Sequence, residues 1–475
     1  MKKSKYLLLY TLAVLFTGCQ DWFDVSPKSD VKAEDLFQHE SGFRDVLTGV
    51  YSLISTPQSY GRQLSFGYVD VLAQYYDQIT SSSHEYIKTK DYLYEEPYDK
   101  GVLKKIWSNQ YKAIANLNAM LMFIDKQQAV FSSKEVYRIY KGEALALRGM
   151  LHFDMLRLFA PSPLMGKERK AIPYLENYTN MPQEQQTVEG TLKKIIADLN
   201  TARELMREVD SYGPNYTELI SEQKEHPLLK NRVKHLNYYA VTALLARVQL
   251  YAENKNAALQ AAQEIIGNPD DSPVTPFELV SSASGSDRIF LTEQLFCLEK
   301  NNMADNIDAY FGENIKETGF SKSFKGLGMT VANRSKLYAL QNPSDDDYRL
   351  KLWFQETDKS TVVMPNKYSS VKMIPMLHLS ELYYIAAECA ATNGLDYLNK
   401  LRAYRGLAPL SATNDLQSEI CKEYCKEFMC EGQMFYYYKR LNENQIGVFK
   451  KVSIDPETVF VLPLPDDELD FGLIE

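Results

Sequence analysis

From Lys141 the chain reads Lys141-Gly142-Glu143-Ala144-Leu145-Ala146-Leu147-Arg148-Gly149, and it continues after three residues as Phe153-Asp154-Met155-Leu156-Arg157-Leu158-Phe159. This stretch predicts a helix that begins after the capping pair Ser132-Ser133 and ends at Ala160-Pro161. The run before it, at about 101–128, also has the helical period. Two consecutive helices joined by a short turn form an αα-hairpin, and this hairpin sets the expected architecture.

Helical periodicity extends outward from this hairpin in both directions. We predict further helices at about 33–55, 187–210, 235–253, 255–267, 376–393, 395–405 and 412–441. Small residues cluster at 240–247 and 385–391, where they allow antiparallel helices to approach closely, as in tetratricopeptide hairpins. The 34-residue consensus of that repeat does not recur cleanly, so the hairpins are expected to be degenerate repeats.

The pattern changes at about 268–375, where Pro, Gly, Ser and Asn separate short apolar runs. We interpret this part as a loop-rich insertion, in which binding residues tend to lie. The expected fold class is therefore mostly all-α, with one domain over 19–475. Its helical scaffold would occupy about 33–267 and 376–441, with the insertion at about 268–375.

The composition indicates a folded, acidic protein. The chain has 475 residues, of which 45% are hydrophobic and 24% charged, close to the averages for globular proteins. The net charge of -9 opposes nonspecific binding to phosphate backbones, so nucleic acid is not an expected partner.

The N-terminus has the pattern of an export signal. Lys2, Lys3 and Lys5 precede an uncharged apolar run at 6–16, which is too short to remain as a membrane-spanning helix. It ends in Leu15-Phe16-Thr17-Gly18-Cys19, which resembles the lipobox of bacterial lipoproteins. That resemblance implies a signal peptide at 1–18 and acylation, with palmitate among the acyl chains, at Cys19. The alternative is an ordinary secretory signal followed by a chance cysteine.

The remaining cysteines and the charged helix residues do not suggest catalysis. Five cysteines remain beside Cys19, and an odd number argues against a disulfide framework. We interpret them as small buried residues, with no metal site and no cofactor expected. The pairs Glu143/Arg148 and Glu381/Glu388 lie on helices rich in small residues, so we predict structural salt bridges rather than a glycosidase pair. No hydrolase elbow, zinc-peptidase or phosphate-loop motif occurs, so we expect no catalytic residues and no enzyme.

The order of several motifs resembles the SusD/RagB family of Bacteroidetes outer-membrane lipoproteins. These motifs are Cys19 followed by Trp22–Pro27, Leu47–Tyr51, Trp107 with Tyr111–Asn118, Lys141–Phe159, Ala243–Tyr251, Asp347–Arg349, Ser380–Glu388, Leu398–Arg402, Glu427–Gly432 and Leu462–Pro465. They span nearly all of the chain after the predicted signal peptide. One departure is the run 433–440, where the family usually has a Trp and an Asp-Leu before Arg.

The resemblance implies a binding protein of the outer membrane. Such a protein would be anchored by its N-terminal lipid, face the cell exterior and deliver nutrient glycan to a SusC-like TonB-dependent transporter. Asp21 and Asp24 after Cys19 are similar to the signal that sends such lipoproteins to the surface. Two alternatives stay open: capture of peptides or another non-carbohydrate nutrient, and a structural lid on the transporter without affinity of its own.

Candidate ligand residues follow from the same resemblance. The family's ligand aromatics lie largely in the loop before the helix that begins near residue 101. Here that loop contains Tyr75, Tyr76, Tyr86, Tyr92, Tyr94 and Tyr98. Tyr310, Phe311 and Trp353 in the insertion are second candidates. Aromatic rings can stack on the CH faces of sugars while tyrosine hydroxyls reach sugar hydroxyls. The alternative for each of these residues is packing at the edge of the core.

Overall fold

A computed structural model describes residues 33–214, 226–282, 286–300, 303–311, 325–339, 342, 345–355, 361–368 and 372–474. The predicted signal peptide and the lipidation site Cys19 lie outside these ranges. The helices are α1 (Ala33–Leu36), α2 (Glu40–Ile54), α3 (Tyr68–Leu72), α4 (Pro97–Ile124), α5 (Lys134–Phe159), α6 (Pro163–Gly166), α7 (Val188–Met206), α8 (Tyr238–Tyr251), α9 (Lys255–Ile266), α10 (Met303–Phe311), α11 (Val331–Leu337), α12 (Tyr348–Leu352), α13 (Leu379–Cys389), α14 (Gly394–Tyr404), α15 (Leu416–Glu427), α16 (Gln433–Arg440), α17 (Pro456–Val459) and α18 (Asp466–Phe471).

The strands are short and pair only in small sheets. They are β1 (Lys170–Pro173), β2 (Gln185–Thr187), β3 (Gln294–Glu299), β4 (Met329–Thr330), β5 (Phe354–Gln355), β6 (Val362–Pro365), β7 (Met373–His378), β8 (Gln445–Ile446) and β9 (Val452–Ser453). Among the described residues, β1 pairs with β2, β3 with β7 and β8 with β9, and β6 lies between β4 and β5. Every one of these pairings is antiparallel.

The scaffold is a succession of packed helices, which confirms the predicted mostly helical fold. Helix α5 packs along α4 and α7, α8 packs on α7 and α9, and α13 packs on α9 and α14. Helix α5 begins where predicted, because the Ser133 hydroxyl accepts a hydrogen bond from Val136 N at 3.2 Å. Gly142 and Gly149 allow α7 to approach α5: a Cβ at Gly142 would lie 2.9 Å from the Met206 side chain.

One predicted helix, at 412–441, is wrong as a single element because the chain breaks between α15 and α16. Cys430 and Gly432 have φ angles of 69° and 71°, in the left-handed region that ends a helix. Their backbone N–H groups donate to the buried Asp70 carboxylate at 2.7 and 3.0 Å. The break therefore lets Asp70 of α3, in the N-terminal half, bind the backbone of the C-terminal half.

The insertion is held to the scaffold by a sheet and by buried charges. Strand β3 precedes most of the described insertion residues and pairs with β7, which leads directly into α13. Beside this sheet, the Arg405 guanidinium donates to the carboxylates of Glu293 and Glu427 at 2.6–2.7 Å. Arg349, on α12, contacts Glu423 and Glu427 of α15 at 2.6 and 2.9 Å. These buried, charge-assisted contacts join distant parts of the chain, while the boundaries of the insertion remain a prediction.

The described residues contain free cysteines but neither a group of metal ligands nor a membrane-spanning helix. Cys297, Cys425 and Cys430 are buried, Cys389 and Cys421 are partly exposed, and all five are free thiols. Within the described ranges, no three His, Cys, Asp or Glu side chains group together as metal ligands. No helix in those ranges is both long enough and apolar enough to cross a bilayer.

Candidate functional site

Most of the tyrosines predicted as ligand contacts in the loop before α4 are buried. The rings of Tyr75, Tyr76, Tyr86 and Tyr94 are at most 6% exposed. Their hydroxyls donate to other parts of the fold: Tyr75 to Cys425 O at 2.8 Å, Tyr76 to Phe66 O at 2.8 Å and Tyr94 to Val459 O at 2.7 Å. In this conformation these rings present no face on which a sugar could stack. Ring area that reaches the surface of this loop belongs to Tyr92 and Tyr98, which are half-buried.

Tyr92 and Tyr98 lie in different surroundings. Tyr92 occupies the left-handed region at φ 60° and ends a short turn, and its hydroxyl donates to Leu72 O at 3.2 Å. The Gln74 amide donates to the same hydroxyl at 2.9 Å. Tyr98 lies in the first turn of α4, with its ring 5.7 Å from that of Tyr86. Tyr92 therefore supports its own loop, whereas Tyr98 adjoins further aromatic and charged side chains.

Those side chains form a group that we call the Arg62 cluster: Arg62, Glu85, Tyr86, Tyr98 and Tyr310. The Tyr310 hydroxyl donates to the Glu85 carboxylate and accepts a hydrogen bond from the Arg62 guanidinium. Arg62 and Glu85 lie 4.0 Å apart, and their side chains are 22% and 17% exposed. The rings of Tyr86 and Tyr310 are 6.5 Å apart. The cluster thus joins the loop before α4 to α10 of the insertion and brings together Tyr86, Tyr98 and Tyr310, whose contact with a ligand stays a prediction.

The cluster offers neutral phenols beside a guanidinium and a carboxylate. Burial, together with the Glu85 charge, raises the pKa of Tyr98. Burial and the hydrogen bond to Glu85 also raise the pKa of Tyr310. Both phenols therefore keep their protons at neutral pH. Among the described residues, no group accepts a hydrogen bond from the buried Nε of Arg62.

The loop is fixed against the insertion by two polar residues. The Asp77 carboxylate accepts hydrogen bonds from Thr330 N and Thr330 Oγ1, both at 3.0 Å, at the start of α11. The buried His84 ring lies 3.4 Å from Gly326 O, and burial lowers the pKa of this histidine. Asp91, by contrast, is exposed and pairs with Lys90 at 3.2 Å. Asp77 and His84 therefore fix the loop before α4 against residues 326–330 of the insertion.

The other aromatics predicted in the insertion lie elsewhere. Trp353 is 1% exposed, its indole donates to Arg288 O at 2.6 Å, and the Lys367 ammonium lies 3.8 Å from its ring centroid. Phe311 packs its buried ring against Phe66 at 5.2 Å between centroids. Neither ring joins the surface of the Arg62 cluster, and their role as ligand contacts stays a prediction.

Sequence reasoning missed Arg62 and Glu85. Both are ordinary charged residues in loops, and no motif or spacing marks them. Their only signal is indirect: Gly67 follows Arg62 by five residues, and a Cβ at Gly67 would lie 2.9 Å from the Tyr86 hydroxyl and 3.0 Å from Arg62 Cγ. A structure shows that Gly67 admits these close contacts, whereas a single sequence shows only that a glycine is present.

Two family models match the chain. A model described as "Starch-binding associating with outer membrane" (SusD-like) matches residues 21–250, and a model of the "SusD family" (SusD/RagB) matches residues 299–455. A curated relative, the SusD-like protein P25 of Formosa agariphila, is 23% identical over 443 residues, which cover 84% of this chain and 81% of that protein.

Solved structures share the fold at low identity. A SusD superfamily protein from Bacteroides thetaiotaomicron has a TM-score of 0.73 and 20% identity, and the match covers 92% of this chain and 98% of that one. A putative sugar binding protein from Bacteroides vulgatus has a TM-score of 0.68 and 23% identity over the same shares. A SusD-like carbohydrate binding protein, also from Bacteroides vulgatus, has a TM-score of 0.66 and 17% identity over 92% and 97%. At these identities the likeness shows the fold.

Proposed function

This chain belongs to the SusD/RagB family, and on that premise we propose that it is a surface lipoprotein that binds nutrient glycan without catalysis. Bound glycan would pass to a SusC-like TonB-dependent transporter in the outer membrane. The proposal assigns the first glycan contacts to the partly exposed members of the Arg62 cluster, which are Arg62, Glu85 and Tyr98.

The observation that carries this assignment is the combination of groups at the Arg62 cluster. A guanidinium and a carboxylate 4.0 Å apart can bind neighbouring sugar hydroxyls, one as donor and the other as acceptor. The half-buried Tyr98 ring beside them offers an apolar face. A few oriented polar groups on an aromatic wall are typical of ligand sites.

The surroundings of Glu85 favour binding over catalysis at this cluster. A glycosidase needs a second carboxyl group across the sugar, about 5–10 Å from the first. The groups that contact Glu85 here are Arg62 and Tyr310, which supply donors rather than a second acid.

Calorimetry with defined saccharides tests the assignment. Maltoheptaose is the first probe, followed by xylohexaose, mannohexaose and cellohexaose. We expect Arg62→Gln and Tyr98→Ala each to weaken saccharide binding about tenfold, because each removes a hydrogen-bonding or stacking group worth about 1–2 kcal/mol. Arg44→Gln is the matched control, since Arg44 is 53% exposed and pairs only weakly with Asp45 at 3.6 Å. Equal affinities for Arg62→Gln and the unaltered protein would contradict the assignment.

The two alternative functions, peptide capture and a structural lid, predict different binding results. A tryptic casein digest that binds while every saccharide fails would favour peptide capture. Pull-down from detergent-solubilised outer membranes tests the transporter partnership, and co-purification of a barrel without any ligand affinity would favour a structural lid. The fold and the family model described as starch-binding favour the glycan hypothesis over both.

The lipid anchor is tested separately. We expect radiolabelled palmitate to enter the protein in cells and the Cys19→Ser variant to lose both the label and the membrane fraction. Several acyl chains would give stable anchoring, at about 0.8 kcal/mol for each buried methylene. Label retained after Cys19→Ser would contradict the predicted lipobox.

A further inference from the structure

An open volume lies beside α4 and the C-terminal helix α18. It has a volume of about 290 Å³ and is lined by Trp107, Tyr111, Met181, Gln183, Glu468 and Phe471, among others. We call it the α18 groove. Neither the motif order nor the Arg62 cluster accounts for it.

The groove has an aromatic wall with an exposed edge. The rings of Trp107 and Tyr111 lie 4.7 Å apart on one face of α4, and the Tyr111 hydroxyl donates to Pro173 O at 2.8 Å. Opposite them, Phe471 is 77% exposed and Met181 is 67% exposed. Trp107 itself is only 7% exposed and Tyr111 is partly exposed, so the apolar area that a ligand could reach belongs mainly to Tyr111, Met181 and Phe471. These side chains line the same space, and grouped exposed apolar side chains are typical of interaction sites.

Polar groups line the same space. Burial raises the pKa of the Glu468 carboxyl, and a hydrogen bond with Trp107 opposes this rise. Gly472 leaves room for that carboxyl, because a Cβ there would lie 2.7 Å from Glu468 Oε1. The Gln183 side chain lines the groove from the opposite segment. Aromatic faces alongside a carboxylate and an amide match the apolar face and hydroxyl edge of a sugar ring.

A polar recess adjoins the groove. This recess has a volume of about 370 Å³, shares Pro182 and Gln183 with the groove, and is also lined by Asn177, Gln186 and Lys194. An apolar wall followed by an amide-rich recess suits an elongated ligand whose faces are apolar and whose edges carry hydroxyls. A protein partner would more often cover a flat patch than fill two adjacent concavities.

The helix that forms one wall is fixed in place at both ends. Lys100 and Lys104 of α4 pair with Asp466 and Asp467 at 3.1 and 2.7 Å. Beyond the helix, Leu473 forms a parallel β-bridge with Glu184. The C-terminal residues are thus a built wall of the groove rather than a loose end.

We propose that the α18 groove is a second saccharide-binding site, which holds an oligosaccharide chain on the same molecule as the Arg62 cluster. This inference rests on the proposed function and extends it. Two separated sites on one protein would let a long glycan bind in two places and raise its apparent affinity by effective concentration.

Titration of the full chain with maltoheptaose, xylohexaose, mannohexaose and cellohexaose tests the proposal, by calorimetry and by tryptophan emission. The chain has three tryptophans; Trp107 lines the groove and is 7% exposed, and Trp353 is 1% exposed. We expect saturable binding of at least one saccharide in the Arg62→Gln variant, with a change in emission. Phe471→Ala, added to that variant, should weaken this binding at least fivefold. Leu164→Ala is the matched control, because Leu164 is 51% exposed and lies outside the groove.

The outcomes separate the groove from the Arg62 cluster. Weaker binding with Phe471→Ala and unchanged binding with Arg62→Gln would support the groove and contradict the cluster. The reverse result, or no saturable binding of any of the four saccharides to Arg62→Gln, would overturn the groove. An unchanged melting temperature shows that Phe471→Ala still folds. If this variant does not fold, Gln183→Ala replaces it and carries the same expectation. Loss of barrel pull-down by Phe471→Ala with saccharide affinity unchanged would also overturn the proposal.

Discussion

Glu143, the third residue of the KGEALALRG stretch, is fully buried and surrounded by donors. Its carboxylate pairs with Arg232, lies 3.0 Å from the His235 ring and accepts a hydrogen bond from the Tyr51 hydroxyl at 2.9 Å. The predicted structural role of this acid is consistent with those contacts, although its cationic partner is Arg232 rather than Arg148. Arg148 instead donates to Asp198 through two bonds of 2.7 and 2.8 Å.

At the residue scale, Glu143 should make stability depend on pH. Burial alone would raise the pKa of Glu143. The charges of Arg232 and His235 together outweigh burial and lower this pKa from an ordinary value of 4.5 to about 2. The carboxylate therefore contributes about 3 kcal/mol above pH 4.5, and this contribution is lost as the pH falls through about 2. We expect Glu143→Gln to cost about 3 kcal/mol in urea unfolding at pH 7 and less at pH 3.

The control for this prediction is Glu204→Gln. Glu204 is 68% exposed and pairs with Arg207 at 3.3 Å on the surface of α7, so its replacement should cost less than about 0.5 kcal/mol. A cost for Glu143→Gln that stays constant between pH 7 and pH 3 would contradict the assigned charge interaction.

Two glycines provide a second test at the residue scale. Gly432, at φ 71°, has Leu64 O at 2.5 Å from the position of an added Cβ, whereas Gly101 in α4 has no atom within 4 Å. We expect Gly432→Ala to destabilise the protein by more than about 1 kcal/mol and Gly101→Ala to stabilise it by about 0.5–1 kcal/mol. Thermal melting compares the two, and equal shifts for both variants would be inconsistent with the left-handed break.

At the scale of elements, the start of α5 depends on one side chain. The Ser133 hydroxyl caps α5 by accepting from Val136 N, and α5 is packed on both α4 and α7. Ser133→Ala should therefore lower the free energy of unfolding by about 1 kcal/mol. Ser108→Ala on the exposed face of α4 is the control, and it should change this free energy by less than about 0.5 kcal/mol. An equal effect of the two substitutions would contradict the claim that the Ser133 hydroxyl stabilises the start of α5.

The elements also show why the predicted helix at 412–441 failed. Periodicity continues through α15 and α16, so the sequence pattern does not reveal the break between them. The break is stabilised by the Asp70 carboxylate, more than three hundred residues earlier in the chain. Local pattern cannot report a bond with that separation in sequence.

At the scale of the whole molecule, one hydrophobic core extends from Phe37 to Leu462. Buried charges such as Arg405 with Glu293 join the insertion to the scaffold across this core. We therefore expect one cooperative unfolding transition, with circular dichroism at 222 nm and in the near ultraviolet changing together. Two separate transitions would contradict the prediction of a single domain. Different transition midpoints in the far and near ultraviolet would contradict it as well.

The sequence by itself determined the helical class, the positions of the main hairpins and the family. These features follow from local physics: apolar spacing fixes which residues form helices, and caps such as Ser133 fix where they start. Motif order did the rest, because it needs only the linear arrangement of residues. The predicted lipid anchor at Cys19 is of the same kind and stays a prediction.

Only the tertiary structure decided which side chains meet at a surface. The sequence proposed six tyrosines of one loop, yet four of their rings are closed into the core and Tyr98 lies beside Arg62, Glu85 and Tyr310. The α18 groove likewise needs α4, the 179–183 segment and α18 to come together. Burial and proximity depend on contacts between residues far apart in the chain, and neither periodicity nor motif order contains that information.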